Sequence, residues 1–333
     1  MNERLITIGI MTYNRKEIIT EHVNYLLKLN LPTFVNVLII DNNSSDGSYD
    51  AVRLLVEGNN NFKLLKNKEN VGMAKSFIRL FDEADSEYLV LTSDEDFVLM
   101  EQMITLKYFI ANNRPSFISP QIFINTKDRL YRGREDISLV DISEAGEASG
   151  YISGTVYKIS ECRDVLKSVD EVIHTNEYAY LYPQVLLTTL LLARGVGYFY
   201  NKPLTEKRYE AFSNITTLNN SGKYWDYGMR RIQYIGYLSF LEVMSDREKN
   251  IHVQKNLLRS IMNLKKSLEN SVSLWILVNN PELTTIFESK KDIRKYFYII
   301  KRICYLIILN PNNMMKKIGK TFRIINFKKI YNK

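Results

Sequence analysis

Two cysteines in 333 residues, Cys162 and Cys304, are too few for a disulfide framework, so a reducing compartment is expected. Neither has a CxxC partner or a zinc-type neighbour. The three histidines, His22, His174 and His252, are widely separated and lack metal-ligand spacing; His22 and His252 fall in helical patterns and read as surface or core fillers. Long apolar runs are also missing. The segments Tyr296–Ile300 and Ile303–Leu309 fall well short of the ~20 residues that span a bilayer. The first residues lack the apolar core and small-residue cleavage site of a signal peptide, so the mature chain is expected to begin near Met1. There is no internal repeat and no low-complexity stretch. With 45% hydrophobic and 25% charged residues, the remainder is ordinary globular composition, which excludes disordered, collagen-like and coiled-coil classes.

The net charge of +8 is unevenly placed. From Lys290 onward there are thirteen Lys or Arg and one acid, Asp292, a net +12 that leaves the first 289 residues at −4. A nucleic-acid-binding domain would carry its charge on a folded reading surface, so no nucleic-acid partner is expected. Here the charge sits in a terminal segment mixed with Ile, Phe, Tyr and Leu.

The first two hundred residues alternate short β-branched runs with helical periods, the pattern of an α/β sheet with helices packed on it. Strands are expected over Leu5–Met11, Val35–Ile40, Phe62–Leu65, Tyr88–Thr92, Phe117–Ile122, Tyr151–Ile159 and Gly197–Tyr200. Helical periods include Ile18, Ile19, Val23, Leu26 and Leu27, then Ala51, Val52, Leu54 and Leu55, then Phe77, Ile78 and Phe81. A helix from about Tyr182 to Ala193 closes the unit, and residues 125–148 read as a surface excursion. The expected organisation is a catalytic domain over 1–205, split near residue 100 into nucleotide-sugar and acceptor halves. A helical extension over 206–289 and a basic amphipathic tail over 290–333 follow it.

Ligands of doubly wound sheets bind beyond the carboxyl ends of the strands, which directs attention to four polar edges. These are Thr12-Tyr13-Asn14-Arg15, Asp41-Asn42-Asn43-Ser44-Ser45-Asp46-Gly47-Ser48, Asn70-Val71-Gly72-Met73-Ala74-Lys75 and Ser93-Asp94-Glu95-Asp96. An Asp-x-Asp on an extended segment sends both carboxylates to one side, where hard oxygens can share a divalent cation. Asp41, after Val37-Leu38-Ile39-Ile40, can accept an imide N–H from uracil or thymine, while Asp46, Gly47 and Ser48 read as turn and cap residues. Gly72 permits close backbone approach at a helix start, and Lys75 one turn in suits an anion or a ribose. Competing phosphate motifs fail: Gly319-Lys320-Thr321 has Met314 where a P-loop needs glycine, and Gly195-Val196-Gly197 enters a strand instead of leaving one.

In series, these four motifs resemble family 2 of the GT-A glycosyltransferases over roughly residues 4–200. The resemblance implies a mixed, mainly parallel sheet flanked by helices, and inverting transfer of a sugar from a nucleotide-diphosphate donor with Mg2+ or Mn2+ at the Asp-x-Asp. By the same resemblance, Thr12, Asn14 and Asp41 lie near the nucleoside with Lys75 beside it. Asp94 and Asp96 serve ribose, metal and diphosphate. The small-residue segment ending at Gly154 matches the family's acceptor wall.

Many members carry a Glu-Asp pair, one acid being the general base, where this chain has Tyr182-Pro183-Gln184. That phrase and Ser-Asp-Glu-Asp resemble a subset of bacterial surface-polysaccharide transferases. Gln184 then falls on the acceptor side, and the base must lie elsewhere: Glu177 first, then His174, with Glu171 and Asp170 behind. The implied reading is an enzyme that elongates a lipid-linked glycan of O-antigen or capsule type, peripheral at the inner face of the bacterial membrane through its basic tail. The missing Glu-Asp pair motivates an alternative, an inactive nucleotide-sugar or glycan-binding protein of the same fold.

Overall fold

The computed structural model describes residues 4–124, 129–175, 182–208 and 227–279. β1 (Ile6–Thr12), α1 (Lys16–Lys28), β2 (Val35–Asp41), α2 (Ser48–Val56), β3 (Phe62–Lys66), α3 (Met73–Glu83) and β4 (Tyr88–Ser93) form consecutive βα units. β1 pairs in parallel with β2 and β4, and β2 with β3. All of β2 and all but Met11 of β1 are buried, as near-continuous apolar runs covered on both faces require. On one face, Ile19, Val23 and Leu26 of α1 and Val52 and Val56 of α2 join Ile6, Ile8 and Ile10 in a single core. On the other, a Cβ on Gly9 would come within 2.9 Å of Leu89 on the neighbouring β4 and 3.2 Å of Leu80 on α3, which lies close against β1.

Beyond β4 come β5 (Asp96–Val98), α4 (Gln102–Asn113), β6 (Phe117–Ile124), β7 (Arg129–Arg132), β8 (Ser138–Leu139), α5 (Ala145–Ser149), β9 (Val156–Lys158), α6 (Ile159–Thr175), α7 (Pro183–Arg194) and β10 (Gly197–Lys207). The strand order is β3-β2-β1-β4-β9-β6-β10-β5, with β7 on β6 and β8 on β10. β9 runs antiparallel between β4 and β6, so the sheet is mixed but mainly parallel, as expected.

Several expectations are corrected. The strand expected over Tyr151–Ile159 is only Val156–Lys158, because Gly154 (φ +86°) turns the chain and Ile159 already opens α6. Residues 125–148 are not a bare excursion: β7, β8, a 3-10 turn at Ile142–Glu144 and α5 lie there or start there, each too short to show a period. β10 continues past Tyr200 to Lys207; Pro203, which cannot donate to the ladder, sits at a register shift. Leu54, read as part of the apolar stripe of α2, is 64% exposed.

The contacts divide the chain into two units, Met1–Ile261 and Met262–Lys333. Within the first, α8 (Tyr227–Arg247) and the start of α9 (Ile251–Asn279) bury Tyr237, Leu241, Leu257 and Ile261. The Tyr237 hydroxyl donates to Tyr182 O at 2.6 Å, and Arg194 pairs with Glu248 at 3.1 Å, so these helices brace both ends of α7. Of the second unit, the described part is the end of α9. No helix among the described residues is long and apolar enough to cross a membrane.

Candidate functional site

The register places Thr12 beside Asp41 and Met11 beside Ser93, so the carboxyl ends of β2, β1 and β4 form one continuous polar edge. Asp41 is fully buried. Its Oδ1 accepts from the Ser44 amide at 2.8 Å, while Oδ2 is enclosed with no hydrogen bond. An unbonded buried carboxylate oxygen is costly to the fold and is a ready acceptor for a ligand N–H.

Side-chain amides build the walls. Asn42 donates to Asn70 Oδ1 at 2.7 Å, and Asn67 donates to Asn42 Oδ1 at 2.8 Å and Ser76 Oγ at 3.0 Å, which ties the loop before α3 to the end of β2. Gly72 (φ +81°) caps α3, and Lys75 projects exposed from its first turn. Asn14, itself left-handed at φ +51°, accepts from Ser45 N at 2.8 Å, so its carbonyl oxygen holds the loop after β2. Asp46 accepts from Lys16 N at 2.9 Å and Ser48 N at 3.0 Å, joining the starts of α1 and α2.

The acidic motif departs from the extended geometry expected of it. Asp94 and Glu95 form a turn, with β4 ending at Ser93 and β5 starting at Asp96, so the two aspartates are not placed by strand alternation. Asp94 is 3% exposed and its carboxylate is committed: Thr12 Oγ1 donates to Oδ2 and Arg15 to Oδ1, each at 2.8 Å. Arg15 also reaches Glu95 Oε2 at 3.1 Å. Asp96, 1% exposed, accepts from the Tyr151 hydroxyl at 2.7 Å through Oδ2, while Oδ1 is buried without a well-formed hydrogen bond.

Burial pushes the carboxyls of Asp94, Glu95 and Asp96 above their ordinary range; the opposing pulls are Arg15 on the first two, and the Ser153 and Tyr151 hydroxyls with Lys207 on Asp96. Burial first lowers Arg15, but Asp94 and Glu95 outweigh it and raise that guanidinium. Three carboxylates are thus held in a low-dielectric corner, where a cation is strongly favoured.

Beneath the turn, His22 stacks on Phe97 with centroids 4.5 Å apart, and a ring nitrogen lies 3.2 Å from Asp94 O. Burial drops His22 to about 3, so at neutral pH the ring is uncharged and its N–H can donate to that carbonyl. His22 is therefore the core residue that fixes the acidic turn from below. No spacing in the sequence signals this, because the partner is 72 residues away.

Among the described residues, no three Asp, Glu, His or Cys side chains converge as a metal cage. Asp96 Oδ1 nevertheless fits a hard divalent cation that draws its other ligands from a bound diphosphate and water, the usual arrangement for Mg2+ at substrate phosphates.

On the other side of the turn, Gly154 packs where a Cβ would lie 2.9 Å from Pro120 and 3.1 Å from Thr205 Oγ1. The adjacent Ser153 Oγ accepts from Ser93 N at 3.0 Å, joining this wall to the end of β4. Gln184 is in the first turn of α7, 3% exposed, with Oε1 buried and unbonded. Since α7 ends beside the amino end of β10, its first turn points back toward the carboxyl edge. His174 sits half-exposed near the end of α6, its Nδ1 2.7 Å from Asp170 O in the same helix. Glu171 is exposed on that helix, and Glu177 lies outside the described residues. A cavity of about 440 Å³ lined by Arg114, Ser116, Glu161 and Arg194 opens at the amino ends of β6 and β10, the opposite edge of the sheet.

Residues 7–161 match the model of the family described as Glycosyl transferase family 2. No curated protein matches the sequence. Among solved structures, the chain is similar to the 1–349 fragment of S. aureus TarS in complex with UDP-GlcNAc, at TM-score 0.53 and 14% identity, covering 81% of this chain and 83% of that one. A second structure of S. aureus TarS gives TM-score 0.52 and 13% identity over 77% of this chain and 43% of that one. The 1–349 fragment in complex with UDP gives 0.50 and 13% over 93% of both chains.

Proposed function

Because this chain belongs to the family 2 glycosyltransferases of the GT-A fold, we propose that it transfers a sugar, with inversion, from a uridine or thymidine diphosphate donor to a hydroxyl of a lipid-linked bacterial glycan. One observation carries the donor assignment. Two buried carboxylate oxygens lack a well-formed hydrogen bond, Asp41 Oδ2 at the end of β2 and Asp96 Oδ1 at the start of β5, three residues after the end of β4. β2 and β4 are two strand spacings apart, roughly 10 Å. That suits a ligand with an N–H at one end and a diphosphate at the other. Asp41 accepts the imide N–H of the base, Lys75 meets the ribose or its phosphate, and Thr12 with Asp94 lines the sugar of the nucleoside. Asp96, with Asp94 behind it, anchors Mg2+ or Mn2+, whose chemistry is to neutralise charge on the departing diphosphate. Gly154 and Gln184 line the acceptor side, and Glu177 removes the proton of the attacking hydroxyl.

The test of the donor reading is calorimetric. Asp41→Asn can retain the Ser44 contact while removing the charge, and a charge-assisted hydrogen bond is worth about 1.5–3 kcal/mol, so UDP affinity is expected to fall about 10- to 100-fold. Unchanged UDP affinity in a variant that melts like the wild type refutes the role of Asp41. A panel of UDP-, dTDP- and GDP-sugars then identifies the base, because guanine also offers N–H groups.

The acceptor reading rests on the tail. Residues 290–333, outside the described residues, interleave basic residues with Ile, Phe, Leu and Tyr, and each Lys or Arg near an anionic leaflet adds roughly 1 kcal/mol. Full-length protein is expected to co-sediment with anionic liposomes in a salt-sensitive way, more weakly when the chain stops at Asn310 and least when it stops at Ser289. Equal binding by all three removes the tail from the mechanism.

A further inference from the structure

Arg15 belongs to the Thr-Tyr-Asn-Arg motif, yet none of the roles above uses it. Its position at the N-cap of α1 points the guanidinium across the edge into the acidic turn, where one nitrogen binds Asp94 Oδ1 at 2.8 Å and Glu95 Oε2 at 3.1 Å. Asp94 and Glu95 side chains are 4% and 15% exposed, so both ion pairs are largely screened from water, while Arg15 itself keeps 30% exposure and a route outward. Among the described residues, the other cation acting on the turn is Lys207, paired in register with Asp96 and felt by both Glu95 and Asp96. Among the described residues, three carboxylates against these two cations leave one net negative charge at the turn. We propose that Arg15 is the resident counter-cation of the acidic turn, competing with the divalent cation so that metal binds well only together with the donor.

The physical reason is charge balance. A bare divalent cation that draws on Asp94 as well as Asp96 must displace Arg15 or share Asp94 with it: displacement forfeits two ion pairs largely screened from water, and sharing sets two positive charges against each other in a poorly solvated corner. A diphosphate brings negative charge of its own, so the metal and the guanidinium can then both be neutralised. Metal and donor affinities are in this way coupled, and the coupling is reciprocal. The inference rests on reading Asp96 and Asp94 as the cation's anchor, and the test separates the two.

Mn2+ binding to the full-length protein is measured by electron paramagnetic resonance, with and without UDP, for wild type, Arg15→Gln and Arg15→Lys. Wild type is expected to bind bare Mn2+ weakly and to gain affinity with UDP. Arg15→Gln is expected to bind bare Mn2+ about ten-fold more tightly or better, because one positive charge is gone from a low-dielectric site. Its gain on adding UDP shrinks accordingly. Arg15→Lys keeps the charge and stays close to wild type. If Arg15 only staples α1 to the turn, Arg15→Gln loosens the turn and binds bare Mn2+ no better than wild type, which overturns the proposal. Absence of Mn2+ binding by wild type even with UDP removes the metal reading, and the Arg15 proposal with it.

Discussion

Asp96→Asn is expected to reduce turnover by about 10²- to 10³-fold, the scale on which losing one preorganised electrostatic contact to developing charge acts. The same substitution is expected to leave the melting temperature unchanged or to raise it. Asp96 is 1% exposed, burial holds its carboxyl above the ordinary range, and Oδ1 has no well-formed hydrogen bond, so the native side chain is an electrostatic burden on the fold. An amide oxygen can still accept from Tyr151, and the buried charge is gone. A residue that lowers stability and raises activity is the signature of a site kept for ligand. Sugar-transfer kinetics and a thermal melt on the same preparation check both halves; full activity in the presence of EDTA, or a variant that turns over normally, rejects the assignment.

Glu177→Gln is the second large effect, an expected loss of about 10²- to 10⁴-fold in kcat with donor affinity unchanged. An inverting displacement needs the acceptor hydroxyl deprotonated as it attacks, and the place where many family members hold acids reads Pro183-Gln184 here. Gln184 cannot take the proton, though its buried, unbonded Oε1 can accept a hydrogen bond from an acceptor hydroxyl and orient it. His174 competes for the role of base, with one ring nitrogen already turned onto the Asp170 carbonyl of its own helix. Single-turnover kinetics with saturating UDP-sugar decide between them. Normal turnover by Glu177→Gln transfers the expectation of loss to His174→Asn.

The parallel half of the fold and its polar edge were legible in the residues because their determinants are local. An apolar run such as Val37-Leu38-Ile39-Ile40 makes a buried strand whatever lies elsewhere, and the residue that follows it, Asp41, must then stand at the carboxyl edge. Thr12 and Ser93 reach that edge in the same way, since Thr12 ends β1 and Ser93 ends β4.

The direction in which each carboxylate faces was decided only by the tertiary structure. Asp94 turns to Thr12 and Arg15 across separations of 82 and 79 residues, and His22 seats the turn from a helix 72 residues away. The antiparallel insertion of β9 beside β4 brings Gly154 and Ser153 against the acidic motif, although nothing in the short apolar stretch around Val156 specifies its direction or neighbours. Patterning records which side chains leave water, whereas pairing across such distances depends on loop closures and packing that no local window contains. The sequence by itself therefore determined the strands and the residues at their ends, and the folded chain decided which carboxylates are bonded within the protein and which buried oxygens, on Asp41 and Asp96, lack a well-formed partner.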